Sequence, residues 1–160
     1  MTALKPFSQA LELKVPPLAL GAICVLSMLS CAWGMPLFTI EFPGSGIAAV
    51  LLSGSGGMIA LAAIAAFRRH GTTVNPLTPE ASRTVVSGGV YRFSRNPMYL
   101  GLLLALLGLA VWLGNLVALV FPPIFALYMN RFQILPEERA MASRFGAAYG
   151  RYRRSVRRWI

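Results

Sequence analysis

The side chains able to do chemistry in this 160-residue chain are few, and they are clustered. There is no Asp, and two of the five Glu stand side by side in Pro136-Glu137-Glu138. A proline at the first helical position followed by two acids is ordinary helix-start grammar, yet this pair directly follows an apolar run. The other cluster is the segment Arg68 to Pro97, which holds the one His, five Arg, three Pro and three Gly. Asn75-Pro76, Thr78-Pro79 and Ser87-Gly88-Gly89 are turn-forming pairs. A loop this long in a small chain is functional or disordered; the apolar residues threaded through it (Val85, Val86, Val90, Tyr91, Phe93) predict order. Chemistry of the metal or disulfide kind is not expected. Cys24 and Cys31 lie seven apart inside an apolar run and read as small packing residues. His70 beside Arg68-Arg69 reads as interfacial rather than as a base. Gly54-Ser55-Gly56-Gly57 lacks the strand and the Lys-Ser/Thr of a phosphate-binding loop.

The elements that must position these residues are set by hydropathy. Hydrophobic residues make up 56% of the chain and charged residues 12%, with a net charge of +10; mean hydropathy is +0.63. That is about half the charge of an ordinary soluble domain, and far too apolar for disorder. The charge is also excluded from long blocks. Val15–Ile40 and Phe42–Phe67 are uncharged runs of 26 residues each, and Asn96–Asn130 is one of 35. A membrane helix needs roughly 20 such residues, so the chain is expected to be an all-α polytopic membrane protein, one domain over residues 1–160. With pI near 10.9, the expected counter-ion is anionic lipid rather than nucleic acid.

Spans are predicted at about Pro17–Phe38 and Ile47–Phe67, within residues 1–67. The third run, residues 98–130, reads as a helical hairpin, Met98–Leu113 and Leu116–Met129, broken at Gly114-Asn115 and kinked at Pro122-Pro123. With these four crossings the N-terminus, the 68–97 loop and the C-terminus share one side and hold 2, 5 and 8 Lys+Arg, all 15 in the chain. By the positive-inside rule that side is cytoplasmic, with both termini in it. Ala49, Ser53 and Gly57 form a stripe of small residues predicted to let another helix approach closely. Within residues 131–160, Met141, Phe145, Tyr149, Tyr152, Val156 and Trp159 fall on one helical face and arginines on the other. This predicts a helix lying in the headgroup plane, with Arg151 to Arg158 on anionic lipid.

Two motifs together carry a resemblance. Gly89-Val90-Tyr91 through Arg95-Asn96-Pro97-Met98-Tyr99-Leu100-Gly101, followed by Pro136-Glu137-Glu138 and Phe145-Gly146-Ala147-Ala148-Tyr149, resembles the isoprenylcysteine carboxyl methyltransferase and phospholipid N-methyltransferase superfamily. The likeness covers roughly Thr72 to Ile160. It implies an S-adenosylmethionine-dependent enzyme without a Rossmann domain, acting on a lipophilic or membrane-delivered acceptor: a lipid amine, a thiol or a prenylcysteine-like carboxylate. It implies cofactor contacts from Arg83, Thr84, Val85, Val86, Tyr91, Arg95, Asn96, Pro97, Met98, Tyr99, Glu137 and Glu138. Tyr91 and Tyr99 would offer ring faces to the sulfonium, Arg95 a fork to the cofactor's carboxylate, and Glu137 an acceptor for ribose hydroxyls or the ammonium. Arg131 and Glu137 are the candidate catalytic residues, and no metal is implied. Asn96 stands where the isoprenylcysteine branch has His, and Gln133 where that branch has an Arg meeting the substrate. Two other readings remain: a non-enzymatic scaffold binding anionic lipid, and an NADPH-dependent membrane reductase of the sterol reductase type.

Overall fold

The structure, a computed structural model, describes residues 11–40, 43–69 and 84–160. Among these the chain is helical with no β-strand; an isolated bridge pairs Thr39 with Asn115. The helices are α1 (Pro17–Gly34), α2 (Ser45–Arg69), α3 (Pro97–Leu113), α4 (Phe121–Tyr128) and α5 (Leu135–Ser155). Three helical bodies are long and apolar enough to cross a membrane: α1, α2, and the 38-residue stretch Ala118–Ser155; α3 is a shorter apolar helix of 17 residues. At 1.5 Å per residue α3 is about 25 Å long, short for a 30 Å hydrocarbon layer without tilt or local thinning. Large apolar side chains point outward along the bundle: Leu18, Leu26, Val50, Leu61 and Leu127 are 65–74% exposed. No soluble surface of this size carries so much contiguous apolar area; lipid is the solvent that fits it.

α3 is the central helix, and its position follows from glycine. A Cβ on Gly101 would lie 2.5 Å from the Gly56 carbonyl oxygen, and one on Gly56 would lie 2.5 Å from that of Gly101. A Cβ on Gly108 would run into the Ser53 hydroxyl and the Ala49 carbonyl. Backbone-to-backbone contact of this kind supplies dispersion where no hydrophobic effect operates between helices. Of the expected stripe Ala49, Ser53 and Gly57, the first two do meet the neighbouring helix, while the buried positions on α2 are Ala49, Gly56 and Ala63. Gly57 is exposed and meets nothing. Seven residues come closer than eight to two turns of 3.6, so Gly56 rather than Gly57 stays beneath Ala49.

Both ends of the bundle are tied. At one end Gly114, in the left-handed conformation (φ 60°), closes α3. There Ile40 N donates to Gly114 O (2.8 Å) and Leu116 N to Phe38 O (3.0 Å). Asn115 is fully buried because all of its groups are used. Its amide donates to Met35 O (3.0 Å) and Thr39 Oγ1 (3.3 Å), and its Oδ1 accepts from Val117 N and Ala118 N. The α1–α2 and α3–α4 connections thus meet at one end, as four antiparallel crossings require. At the other end Leu13 N donates to Phe132 O (3.0 Å), so the N-terminal segment joins the end that holds the 84–96 segment and the C-terminus.

The second arm of the hairpin differs from the expected one. It does not stop near Met129; the helix continues through a π-helical turn, Met129–Ile134, directly into α5. Pro136 has no N–H to give and its ring crowds the preceding turn; widening that turn relieves both without breaking the helix. Pro122 and Pro123 likewise sit in the first turn of α4, where N–H groups are unpaired anyway, instead of kinking its interior. The C-terminal helix departs most. It bends at Gly146, whose φ 51° and ψ −122° suit glycine alone. It then ends at Ser155, and residues 156–160 fold back onto the bundle rather than continuing along a headgroup plane.

Candidate active site

The tied end that carries the C-terminus brings the two sequence motifs together. Asn96 caps α3, and Pro97 occupies its first position, where a missing N–H costs nothing. Tyr99, one turn in, donates its hydroxyl to Glu137 Oε1 at 2.5 Å. Gln133 Nε2 donates to the same oxygen at 2.5 Å from four residues back. Both donors are neutral, so neither cancels the carboxylate's charge. Beside this pair lies a buried ionic cluster. Glu138, with 7% of its side chain exposed, accepts from Arg95 Nη2 (2.8 Å), and from Arg158 through Nε (3.1 Å) and Nη2 (2.8 Å). The two-donor fork onto a carboxylate raises the Arg158 pKa above its usual value, against the lowering effect of burial. Arg95 Nη1 also donates to Arg153 O (2.9 Å). The Nε of Arg95 is buried and meets no acceptor among the described residues.

A second group forms around Tyr91, in the 3-10 turn Gly89–Arg92. The ring packs at a tilt of 54° against Phe67 of α2, centroids 5.2 Å apart, and Val86 and Ala63 complete a small buried core. Tyr152 of α5 donates to the Tyr91 carbonyl at 2.8 Å. Burial, with lesser contributions from Tyr152 and Glu137, pushes the Tyr91 phenol well above its ordinary pKa, so it stays neutral. Next to this core a cleft of about 690 Å³ opens between Thr84, Val85 and Ser87 on one side and Phe145, Arg151 and Tyr152 of α5 on the other. The cleft is open on its outer side rather than an enclosed cavity.

The candidates of the sequence reading fall as follows. Thr84 and Val85 line the cleft, and Val86 and Tyr91 lie in the core beneath it. Met98 packs between that core and the main one. Asn96 donates its amide to Arg158 O at 2.9 Å. Tyr99 joins Glu137, and Arg95 joins Glu138. Arg83 and His70 lie outside the described residues. Arg131 is turned elsewhere, to Glu12 at 2.7 Å, and Arg139 meets the same carboxylate. Arg131's hydrogen bond first, then Arg139's and Arg131's charges, outweigh burial and hold Glu12 below the usual carboxylate range. Sequence reasoning passed over Gln133 as a partner of Glu137, although a spacing of four on a helix is the signal for such a pair. It took Arg158 for a lipid anchor. Nothing in the local sequence marks that residue, because its role depends on the tail turning back.

This helical membrane protein gathers acid, phenol and guanidinium groups at one end of its bundle. Residues 45–148 match the phospholipid methyltransferase family, and this chain belongs to that family. It is 51% identical over 63 residues, 39% of the chain, to the whole of an uncharacterized protein of Haemophilus influenzae. It is also 35% identical over 75 residues, 45% of the chain, to a protein-S-isoprenylcysteine O-methyltransferase of Schizosaccharomyces pombe, of which the match spans 30%. No solved structure matches.

Proposed function

We propose that this protein transfers a methyl group from S-adenosylmethionine to a lipophilic or membrane-delivered acceptor. The observation that carries the reading is the 2.5 Å contact between Tyr99 and Glu137. It joins two motifs 38 residues apart in a chain of this family. The residues suit the cofactor on three counts. Glu137 offers a carboxylate whose Oε1 partners are neutral, apt for an ammonium or ribose hydroxyls. The buried Arg95 Nε is a donor in want of an acceptor. The cleft at Thr84, Val85 and Arg151 has the volume for a nucleoside. When bound, the cofactor supplies a methyl on a sulfonium whose departing half is a neutral thioether, so no strong acid is needed. The chain's own residues bind, orient and exclude water, which is where most of the rate comes from in such a displacement. The apolar outer surface of the bundle lets the acceptor arrive from the bilayer, while the cofactor enters from the aqueous side.

Calorimetric titration of the detergent-solubilised protein with S-adenosylhomocysteine, and separately with NADPH, tests this. Binding of the first and not the second is expected. NADPH binding alone would favour a reductase, and binding of neither would leave a lipid-binding scaffold.

We also place the site, and both termini, on the cytoplasmic side, since the Lys and Arg among the described residues gather at that end. The exposed Arg151, Arg153, Arg154 and Arg157 there suit anionic headgroups, at roughly 1 kcal/mol each near the surface. Single cysteines at Ser45 and Ser155, in a background lacking Cys24 and Cys31, should be labelled by an impermeant maleimide from opposite sides. Labelling of both from one side would overturn the arrangement.

A further inference from the structure

The last residues of the chain make contacts that a lipid anchor has no use for. Arg95 N donates to Arg157 O (3.0 Å), and Arg158 O accepts from Asn96 Nδ2 (2.9 Å) and Ser94 Oγ (3.4 Å). Trp159 Nε1 donates to Asn130 Oδ1 at 3.2 Å, in the π-helical turn. The tail thus ties the start of α3 to the middle of the long fourth helical body. Its one charged contribution is the Arg158 fork onto Glu138. A buried carboxylate is stable only when paired, and here two guanidiniums share it. With Arg158 taking Oε2 and part of Oε1, Glu138 is held where it takes only Nη2 of Arg95. Arg153 O takes Nη1. Of the three Arg95 side-chain nitrogens, Nε alone meets no acceptor among the described residues, 9% of that side chain being exposed.

We infer that Arg158 is a positioning residue and the 156–160 tail a latch. Through Glu138, Arg158 fixes the guanidinium of Arg95 so that its Nε is kept for an acceptor on the bound ligand. The role of Arg95 toward a ligand rests on the methyl-transfer reading above; the latch itself does not. Without Arg158, Glu138 has one cation left, draws a second donor of Arg95 to itself, and the free Nε is lost. Lysine in its place keeps the charge but offers one ammonium instead of a two-donor fork.

The test uses the full chain in detergent with two readouts. In the first, S-adenosylhomocysteine is titrated into wild type, Arg158→Gln, Arg158→Lys and, as a control for loss of one nearby positive charge, Arg154→Gln. Arg158→Gln should weaken binding about tenfold and raise KM for the cofactor by a similar factor with kcat little changed. Arg158→Lys should recover part of the loss, and Arg154→Gln should match wild type. The double variant Arg158→Gln/Glu138→Gln should be no weaker than Glu138→Gln alone, because the effect passes through Glu138. In the second readout a spin label at Ile160, with Cys24 and Cys31 removed, should be immobile in the parent and mobile in Arg158→Gln. If the parent binds the ligand and Arg158→Gln binds it equally well, the positioning role is overturned while methyl transfer stands. If the parent does not bind it, the methyl-transfer reading fails, and with it the role of Arg158. A parent label as mobile as that of the variant overturns the latch whatever the ligand does.

Discussion

Replacing Glu137 by Gln is expected to weaken S-adenosylhomocysteine binding at least tenfold, about 1.4 kcal/mol, with the thermal midpoint in detergent nearly unmoved. The amide keeps the shape of the side chain and an oxygen that can accept from Tyr99. What it removes is the negative charge. In the described site both donors to Oε1, Tyr99 and Gln133, are neutral. A cationic ligand beside Oε1 would draw the carboxylate to its charged form against the cost of burial, and a desolvated setting makes that attraction larger than it would be in water. Alanine is the poorer test. It removes the acceptor that Tyr99 and Gln133 share, a loss of about 1–3 kcal/mol for a buried group, and so mixes lost stability with lost binding. Equal affinity in wild type and Glu137→Gln would take Glu137 out of the site.

Truncation after Gly150 should reduce turnover on a lipophilic acceptor to background, a fall of more than about a hundredfold on the scale of lost positioning. Read from sequence alone, residues 151–160 are a basic strip whose removal loosens membrane attachment and lowers turnover but spares much of the cofactor affinity. The structure assigns them much more. Their loss takes away the Tyr152 hydroxyl bonded to Tyr91 O, the Arg158 fork on Glu138, and the carbonyls of Arg153, Arg157 and Arg158 that hold Ser94, Arg95 and Asn96. Glu138 and Arg95 then face each other with unmet groups in a buried place, a strongly destabilising arrangement. One wall of the cleft, Arg151 and Tyr152, goes as well. A turnover assay in mixed micelles, beside thermal unfolding, reads both effects. Full turnover by the truncated chain would show that the tail is an attachment device only.

Sequence alone determined what depends on composition and local chain chemistry. The uncharged runs required lipid, and the three Lys- and Arg-bearing segments put three stretches of chain at one end of the bundle. Gly114-Asn115 had to be a turn, because glycine alone closes α3 at φ 60° without cost. The motif residues Tyr91, Arg95 to Tyr99, Glu137 and Glu138 could be picked out, since the likeness that marks them is a matter of residue types at fixed spacing. Tertiary structure decided what depends on which groups meet. Only there does Gly56 replace Gly57 against Gly101, since steps of four residues drift about 40° each around a helix and a list of small residues does not say which of them meets a neighbour. Only there does the fourth helix run unbroken past Pro136, since a π-helical turn is a response to crowding and not a propensity. Only there does Arg131 turn to Glu12 while Gln133 serves Glu137, and Arg158 leave the lipid for Glu138. A charge written in sequence has no partner until the chain folds back on itself. Desolvation then makes the pairing of Glu138 compulsory, and that is why the tail of this helix belongs to the site.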